Sequence, residues 1–401
     1  MTRKEPSFEN ALTFAADLIR TPGLSGDEGR VAERVENEMR ALGLERVRID
    51  DVGNVIGVVP GSGAGPPILL ASHLDVVAEG DHAEWEVPPF SGTVEGGYLH
   101  GRGAMDIKGP LAVQTYAAAS MIGRAAGDVV VAHTVLEEQG GLGMKALLES
   151  ETVDPAWVVI GEATHGDICI GHRGRAEVEV HIRGKAGHAS EPSRARNALD
   201  LLGDVLAAIR ALDEDQPADP VLGSSTAVAT TVDVAPETRN VIPDRVLVAV
   251  DWRILPGDSS ESLIERLGAA IRRRMPEVPD GWSVDVRIAS VHQRTYTGFE
   301  RAREMYSPGF LMDPEDPAVQ AAAAAVGRRD GSDVPARVRP WRFATDGGWT
   351  RGVHGIPTIG FAPGEEHFAH TNRERISVDE FRWALERYPR LVEALQGAGS
   401  P

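Results

Sequence analysis

Two adjacent carboxylates, Glu137 and Glu138, follow an apolar, β-favouring segment of the sequence, "VVVAHTVL". Such a segment indicates a buried strand, and two ionised carboxylates at its end would repel each other and lose hydration. A divalent cation offsets both effects because it supplies the opposite charge at short range. The pair therefore predicts a metal site, in which one glutamate is a ligand and the other is free to act as a base.

Further histidine and acidic side chains follow other predicted strands. His73 and Asp75 close "ILLASHLD", Glu162 follows "WVVIG", Asp106 lies in the glycine-flanked loop "GRGAMDIKG", and His370 lies beyond the last strand. Ligand sites in open α/β sheets gather outside the carboxyl ends of the strands, so these side chains are expected to meet at one edge. Imidazole and carboxylate ligands suit Zn²⁺, and also Co²⁺ or Mn²⁺. Asp106 could bridge two such ions through its two oxygens.

The strands that would position these residues are short, continuous apolar runs: "NVIGVVPG", "PPILLASHLD", "VVVAHTVLEE", "WVVIGEAT" and, near the end, "IPTIGFAPG". Continuous runs are typical of strands covered on both faces, as in an α/β sheet. A helix is predicted after Ser25, because Ser25 and Glu28 have the spacing of a capping box and Val31, Val35 and Met39 recur at helical intervals.

The middle of the chain has a different pattern. "AEVEVHIRG" alternates strictly, so one face of that strand should meet solvent or a partner. The predicted order β-α-β-β-α-β is that of a ferredoxin-like unit. The predicted fold is therefore α/β: a larger domain, residues 1–174 and 292–401, with a mostly parallel sheet flanked by helices, and an inserted ferredoxin-like α+β domain, residues 175–291. The alternating strand suggests a homodimer joined through the inserted domain.

Composition narrows the possible partners. A length of 401 residues favours two domains, and a formal net charge of -19 argues against nucleic-acid binding. The single cysteine, Cys169, excludes an intramolecular disulfide and fits a reducing compartment. No apolar stretch approaches the roughly 20 residues that span a bilayer, and no signal-peptide pattern opens the sequence. A cytoplasmic protein without a membrane partner is expected.

Several motifs, in a fixed order, resemble those of one known family. They are "SHLDVV", "PPFSGTVEGGYLHGRGAMDIKG", "EEQGGLG", "GEAT", "GKAGHAS", "NVIPD", "DWRILPG", "GIPTIGFAPG" and "AHTNRERI". The family is that of the dinuclear zinc amidohydrolases and metallopeptidases, which includes acetylornithine deacetylase, succinyl-diaminopimelate desuccinylase and glutamate carboxypeptidase. The resemblance covers nearly the whole chain.

The resemblance implies specific roles for the residues identified above. One ion would be held by His73, Asp106 and Glu162, and a second by Asp106, Glu138 and His370. Glu137 would be the general acid/base, and Asp75 would hydrogen-bond the far nitrogen of His73. His370 is preferred to His367 because "HTNRER" follows it, as in the family's pattern. The family also often has a cis peptide bond after the bridging aspartate, here Asp106–Ile107.

The resemblance further implies a catalytic larger domain and a dimerisation or lid role for the inserted domain. His188 would stabilise the oxyanion from the partner subunit, and Asn240 and Arg253 would bind substrate. The implied activity is hydrolysis, by metal-activated water, of the amide bond of an N-acyl amino acid or related small amide. A dipeptidase or carboxypeptidase with the same site, and a non-catalytic metal-binding dimer, are the alternatives. Glu162, where the family's aminopeptidases carry aspartate, favours deacylases and carboxypeptidases.

Overall fold

The computed structural model describes residues 3–332 and 334–398, and the chain divides into two compact units. Unit 1 comprises the residues up to His172, then Gln293–Arg301, then the residues from Leu311 onward. Unit 2 comprises Arg173–His292 and Ala302–Phe310. Unit 2 is therefore inserted into the sequence of unit 1.

Helices and strands alternate in the first part of unit 1. Its helices are α1 (Phe8–Arg20), α2 (Gly29–Ala41), α3 (Lys108–Ser120) and α4 (Leu142–Glu149). Its strands are β1 (Glu45–Ile49), β2 (Val55–Val59), β3 (Ile68–His73), β4 (Thr93–Glu95), β5 (Tyr98–His100), β6 (Val129–Thr134), β7 (Trp157–Ile160), β8 (Ile168–Cys169) and β9 (Gly171–His172).

The next elements belong mainly to unit 2. Its helices are α5 (Leu202–Glu214) and α6 (Ser260–Arg274). The strands are β10 (Gly174–Arg183), β11 (Gly187–His188), β12 (Ala218–Asp219), β13 (Gly223–Ser224), β14 (Thr226–Ala235), β15 (Val241–Ile242), β16 (Arg245–Ile254), β17 (Ser283–Ile288), β18 (Ser290–Arg294), β19 (Glu300–Glu304) and β20 (Tyr306–Ser307). The chain then returns to unit 1 with β21 (Phe310–Leu311), α7 (Pro317–Val326), β22 (Val338–Arg339), β23 (Thr358–Gly360), β24 (Arg375–Ser377) and α8 (Val378–Gly397).

An eight-stranded sheet forms the centre of unit 1, in the order β1-β2-β6-β3-β7-β23-β8-β22. The four central strands β6, β3, β7 and β23 are mutually parallel, whereas β1 and β2 are antiparallel additions at one edge. Strands β3 and β7 are buried at every residue, which explains why their sequences are continuously apolar. The predicted α/β class with a mostly parallel sheet is confirmed.

The sheet of unit 2 is antiparallel, in the order β14-β16-β10-β17, with β20 beside one end of β10. Burial alternates along β10, and its inward residues Val178, Val180 and Ile182 join a core with α5 and α6. The strand order and the two helices are those of the predicted ferredoxin-like unit. A 3-10 turn, Ala198–Leu201, precedes α5.

The predicted capping box at Ser25 and Glu28 is wrong. Helix α2 begins at Gly29, and Glu28 at its N-cap makes no side-chain capping bond. The hydroxyl of Ser25 instead donates to Asp75 Oδ2 at 2.7 Å. Helix α7, by contrast, has a side-chain cap: Asp316 accepts hydrogen bonds from two amides of its first turn, and Pro317 follows at the first helical position. Within the described residues, no helix is both long and apolar enough to cross a membrane.

Candidate metal centre

The predicted ligands lie where central strands of unit 1 end. His73 is the last residue of β3, Glu138 lies in the turn after β6, and Glu162 lies two residues beyond β7. Because these three strands are parallel, their carboxyl ends meet at one edge of the sheet. Asp106 precedes α3, and His370 lies in the loop between β23 and β24. The fold thus brings residues far apart in sequence to one place.

Asp106 lies between two histidines. Its Oδ1 is 3.3 Å from His73 Nε2, and its Oδ2 is 3.2 Å from His370 Nε2. A further carboxylate contacts each histidine: Glu162 Oε1 lies 3.3 Å from His73 Nε2, and Glu138 Oε2 lies 3.1 Å from His370 Nε2. These contacts group around the two imidazoles, with Asp106 common to both groups. The ligand atoms of His73, Asp106 and Glu138, and those of His73, Glu137 and Glu162, also lie within 4.8 Å of one another.

The donor atoms fit a divalent cation. His73 is only 1% exposed, and its Nε2 makes no hydrogen bond of acceptable geometry although two carboxylate oxygens lie 3.3 Å away. A buried imidazole nitrogen without such a partner is costly unless a ligand or ion satisfies it. His370, with 53% of its side chain exposed, is the most solvent-accessible of the five. Two imidazoles and three carboxylates are a donor set that suits Zn²⁺, Co²⁺ or Mn²⁺.

Burial and neighbouring charges shift the pKa values of the acidic groups of the site. Burial raises the pKa of Glu162 to about 7; the neighbouring imidazole of His73 opposes this shift, and the negative charge of Asp106 adds to it. Burial also raises the pKa of Glu137 well above its usual range; His73 opposes this, whereas Glu162 reinforces it. Burial acts on Asp106 as well, but the neighbouring imidazoles of His370 and His73 outweigh it and hold the Asp106 pKa below its usual range.

The pKa values of both histidines are also raised, but here the neighbouring carboxylates are the cause and burial opposes them. Hydrogen bonds to Asp106 and Glu138 raise the pKa of His370 to about 10, against partial burial. Burial would lower the pKa of His73, but the carboxylates of Asp106 and Asp75 outweigh it and raise that pKa well above its usual value. In the metal-free chain the neighbouring carboxylates therefore favour the protonated form of both imidazoles. A metal ion would displace these protons, because a histidine ligand must be deprotonated.

Asp75 contacts His73 differently from the sequence-based expectation. The Nδ1 atom of His73 lies 2.8 Å from the backbone oxygen of Asp75, and the nearer carboxylate oxygen, Oδ1, lies 3.5 Å away. The backbone carbonyl is thus the hydrogen-bonding partner. The carboxylate accepts instead from the backbone amides of Glu137 and Glu138, at 3.1 and 3.2 Å.

Two details favour His370 over its neighbour His367. The ring of His367 is largely exposed and lies 3.6 Å from Glu365 Oε2. His370 has a φ of 58°, a left-handed conformation that is uncommon for residues other than glycine. The Asp106–Ile107 peptide bond is cis, as expected from the resemblance.

Sequence reasoning missed the buried ion pair of Glu374 and Arg102. Glu374 Oε1 accepts from the backbone amides of Met105 and Asp106, at 3.1 and 3.0 Å. Arg102 Nη1 donates to the other oxygen of Glu374 at 2.5 Å. The charged residues of "GRGAMD" and "HTNRER" were the available signal, since both flank a predicted ligand.

Asp346, in "ATDGGWTRG", was also missed. Its Oδ2 accepts from the hydroxyl of Thr134, and burial raises its pKa to about 7. Its negative charge contributes to the raised pKa of Glu137. A β-carbon at Gly141 would lie 2.4 Å from Asp346 Oδ1, and Gly141 has a φ of 77°. The second residue of the Gly-Gly pair in "EEQGGLG" therefore has to be glycine.

The other three predicted residues lie in unit 2. His188 is exposed, and its Nδ1 accepts from the backbone amide and the hydroxyl of Ser190, at 3.1 and 2.7 Å. A neutral His188 therefore carries its proton on Nε2 and can donate from there. The backbone oxygen of Asn240 accepts from Ala189, which places Asn240 beside this loop. Arg253 pairs with Asp251, Nε to Oδ1 at 2.9 Å. Their roles toward substrate stay predictions.

Comparison with known proteins identifies the family. A model of peptidase family M20/M25/M40 matches residues 69–394. The chain is 30% identical to the uncharacterized protein YgeY of Escherichia coli K12, over 90% of this chain and 88% of that protein. It is also 30% identical to succinyl-diaminopimelate desuccinylase of Paracoccus denitrificans, over 95% of this chain and 97% of that enzyme.

A solved structure supports the fold. The YXEP protein of Bacillus subtilis, described as a dinuclear metal binding peptidase from the M20 family, has a TM-score of 0.70 at 15% identity, covering 98% of this chain and 99% of that one. The family resemblance drawn from the sequence motifs is confirmed. Because the family model matches well over half of the residues, the chain belongs to peptidase family M20/M25/M40 and is a hydrolytic enzyme.

Proposed function

We propose that this enzyme cleaves the amide bond of an N-acyl amino acid or a related small amide with the help of two divalent metal ions. The observation that carries the proposal is the position of Asp106, whose two oxygens each face a histidine of a different ligand set. In this proposal one ion is held by His73, Asp106 and Glu162, and the other by Asp106, Glu138 and His370. The description of YXEP as dinuclear supports the number of ions.

Zinc is the ion we favour, with cobalt and manganese as alternatives, because the donors are imidazoles and carboxylates only. Bound ions of this kind polarise an amide carbonyl and lower the pKa of water to about 7. Glu137 is the proposed general acid/base. Its Oε2 lies 4.0 Å from His73 Nε2, and burial raises its pKa, which favours the protonated form that delivers a proton to the leaving amine.

A deacylase activity is favoured over peptide cleavage because the desuccinylase of P. denitrificans matches nearly the whole chain at 30% identity. By the resemblance, Glu162 stands where the family's aminopeptidases carry aspartate, which argues against an aminopeptidase and is compatible with both a deacylase and a carboxypeptidase. The second candidate, a dipeptidase or carboxypeptidase, is supported by the likeness to the YXEP peptidase, which at 15% identity concerns the fold.

We also propose a homodimer formed through unit 2 and a cytoplasmic location. His188 would donate from Nε2 to the oxyanion, as a residue of the partner subunit. Asn240 and Arg253 would bind the substrate, Arg253 through a carboxylate group, since its guanidinium can form a bidentate pair. The single, buried Cys169 agrees with a reducing compartment.

A substrate panel tests the proposal. Metal-stripped enzyme is reloaded with Zn²⁺, Co²⁺ or Mn²⁺ and assayed on N-acetyl, N-succinyl, N-formyl and N-carbamoyl amino acids and on dipeptides. We expect two ions per chain by elemental analysis and faster turnover of at least one N-acyl amino acid than of any dipeptide. The Glu137→Gln variant is the control for contaminating hydrolases. An enzyme that binds no metal after reloading would contradict the proposal, and preference for dipeptides would select the second candidate.

A further inference from the structure

The turn that carries Glu137 and Glu138 has an unusual set of hydrogen bonds. After β6, the backbone amides of residues 135–138 all donate to side chains from distant parts of unit 1. The amides of residues 135 and 136 donate to Asn54 Oδ1 at 3.1 Å and to Glu28 Oε1 at 3.2 Å, respectively. The amides of residues 137 and 138 donate to the two carboxylate oxygens of Asp75. We call Glu28, Asn54 and Asp75 the amide cradle.

The turn depends on these acceptors because of its backbone conformation. Leu136 is buried and has a φ of 54°, in the left-handed region that residues with side chains rarely adopt. Strand β6 ends at Thr134, so the following amides leave the sheet ladder, and a buried N–H group requires another acceptor. Removal of one cradle side chain would leave a buried donor unsatisfied and would allow the turn to relax.

Glu28 serves this turn and not its own helix. Its side chain is fully buried, and Oε1 also accepts from the backbone amide of Gly26 at 3.0 Å. Ser25, in the same segment, donates its hydroxyl to Asp75 Oδ2 at 2.7 Å. The segment Ser25–Glu28 therefore supplies one acceptor of the cradle and orients a second.

Asn54 is fixed in a similar way. It is fully buried, and its Nδ2 donates to Asp50 Oδ2 at 2.9 Å and to the backbone oxygen of Gly143 at 3.0 Å. These two bonds determine which end of the amide faces the turn, so that Oδ1 is the atom presented to residue 135.

We infer that Glu28 and Asn54 are positioning residues for the acid/base group Glu137: they hold the backbone of residues 135–138 and thereby aim its side chain. This inference rests on the proposed function of Glu137. Neither residue belongs to the two ligand sets, and both act only through the turn. Their loss should lower kcat more than it raises KM, because the substrate-binding groups are not displaced.

Amide hydrogen exchange and kinetics on the intact, metal-loaded enzyme test the inference. Glu28→Met removes the acceptor at similar size, and Glu28→Gln restores an oxygen that can accept the same two amides. Glu33→Met, at an exposed position of the same helix, is the matched control. In Glu28→Met we expect exchange of residues 135–138 at least ten times faster than in wild type, kcat reduced at least tenfold, and KM within twofold. Glu28→Gln and Glu33→Met should stay within threefold of wild type in all three.

Wild-type exchange and kcat in Glu28→Met would overturn the inference, as would faster exchange spread evenly over unit 1, which would indicate a general stabilising role. If Glu28→Met does not fold, Asn54→Leu decides, because it removes the acceptor for the amide of residue 135: faster exchange confined to residues 135–138 with reduced kcat supports the inference, and wild-type kcat overturns it. Glu137→Gln separates the two proposals. Turnover by that variant would refute the role of Glu137, whereas the exchange of residues 135–138 in Glu28→Met would still test the cradle.

Discussion

The ion pair of Glu374 and Arg102 offers a sharp test of how the proposed bridging ligand is held. Glu374 accepts three hydrogen bonds, from Arg102 Nη1 and from the backbone amides of Met105 and Asp106. Both side chains of the pair are almost fully buried. Glu374→Leu would remove the acceptor for the loop that carries Asp106 and leave a buried guanidinium without its counter-charge.

Two effects of different size follow from this geometry. Removing one partner of a buried pair costs about 3–5 kcal/mol of stability, because the remaining charge is uncompensated. Replacing both partners by apolar residues is often nearly neutral. Loss of a group that orients a metal ligand lowers metal affinity by roughly 10- to 100-fold. The double variant Glu374→Leu/Arg102→Met should therefore recover most of the lost stability, but not the lost metal affinity.

Chemical denaturation of the metal-free proteins would measure the first effect, and calorimetric titration with Zn²⁺ the second. We expect Glu374→Leu to lose both stability and affinity, and the double variant to lose mainly affinity. A single variant with wild-type stability would show that the pair is not important for folding. Recovery of wild-type affinity in the double variant would refute the role of Glu374 in holding Asp106.

Three further predictions concern the proposed centre. Glu137→Ala should abolish turnover and keep near-wild-type metal content by elemental analysis, whereas Glu138→Ala should lose metal. Equal metal loss in both variants would reject the division of roles and would indicate that Glu137 is itself a ligand, since it lies within ligand distance of His73 and Glu162. The increase in melting temperature on adding Zn²⁺ should grow from pH 5 to pH 8. The raised pKa values of Glu162 and His370 stabilise the metal-free protein at low pH, and this stabilisation is lost as the pH rises. The ligands must also be deprotonated to bind metal, and an increase that is independent of pH would contradict this reasoning. Confirmed heterodimers of Glu137→Ala and His188→Ala subunits should recover activity if His188 acts across the dimer, and no recovery would exclude that role.

The sequence predicted the sheet and the residues at its edge because both leave local patterns. A strand buried on both faces is mainly apolar, as β7 is throughout and as β3 and β6 are up to their last two residues. A polar residue directly after such a run, such as Glu138 or Glu162, then stands out. Because the strands are parallel, the residues that follow them lie at the same edge of the sheet.

The supporting residues could not be predicted in this way. Glu28 accepts a hydrogen bond from the backbone amide of Leu136, which is 108 positions away, and no local sequence pattern encodes that contact. Its sequence context suggested a capping box, a local explanation that fits the spacing equally well. The family resemblance assigned Asp75 to His73, yet its carboxylate accepts hydrogen bonds from the turn after β6. Contacts of this kind arise only once the sheet has formed.

The two left-handed residues, Leu136 and His370, illustrate why such support is needed. Each immediately precedes or forms part of the proposed centre, and each such conformation costs roughly 1–2 kcal/mol for a residue with a side chain. The carboxylates that converge there add desolvation and repulsion, as the raised pKa values of Glu137 and Glu162 show. Buried acceptors such as Glu28 stabilise the backbone, and cations would stabilise the charges. The two functions are separable: the cradle should hold the turn in the metal-free protein, whereas bound cations would favour the ionised form of Glu162, whose pKa is raised without them.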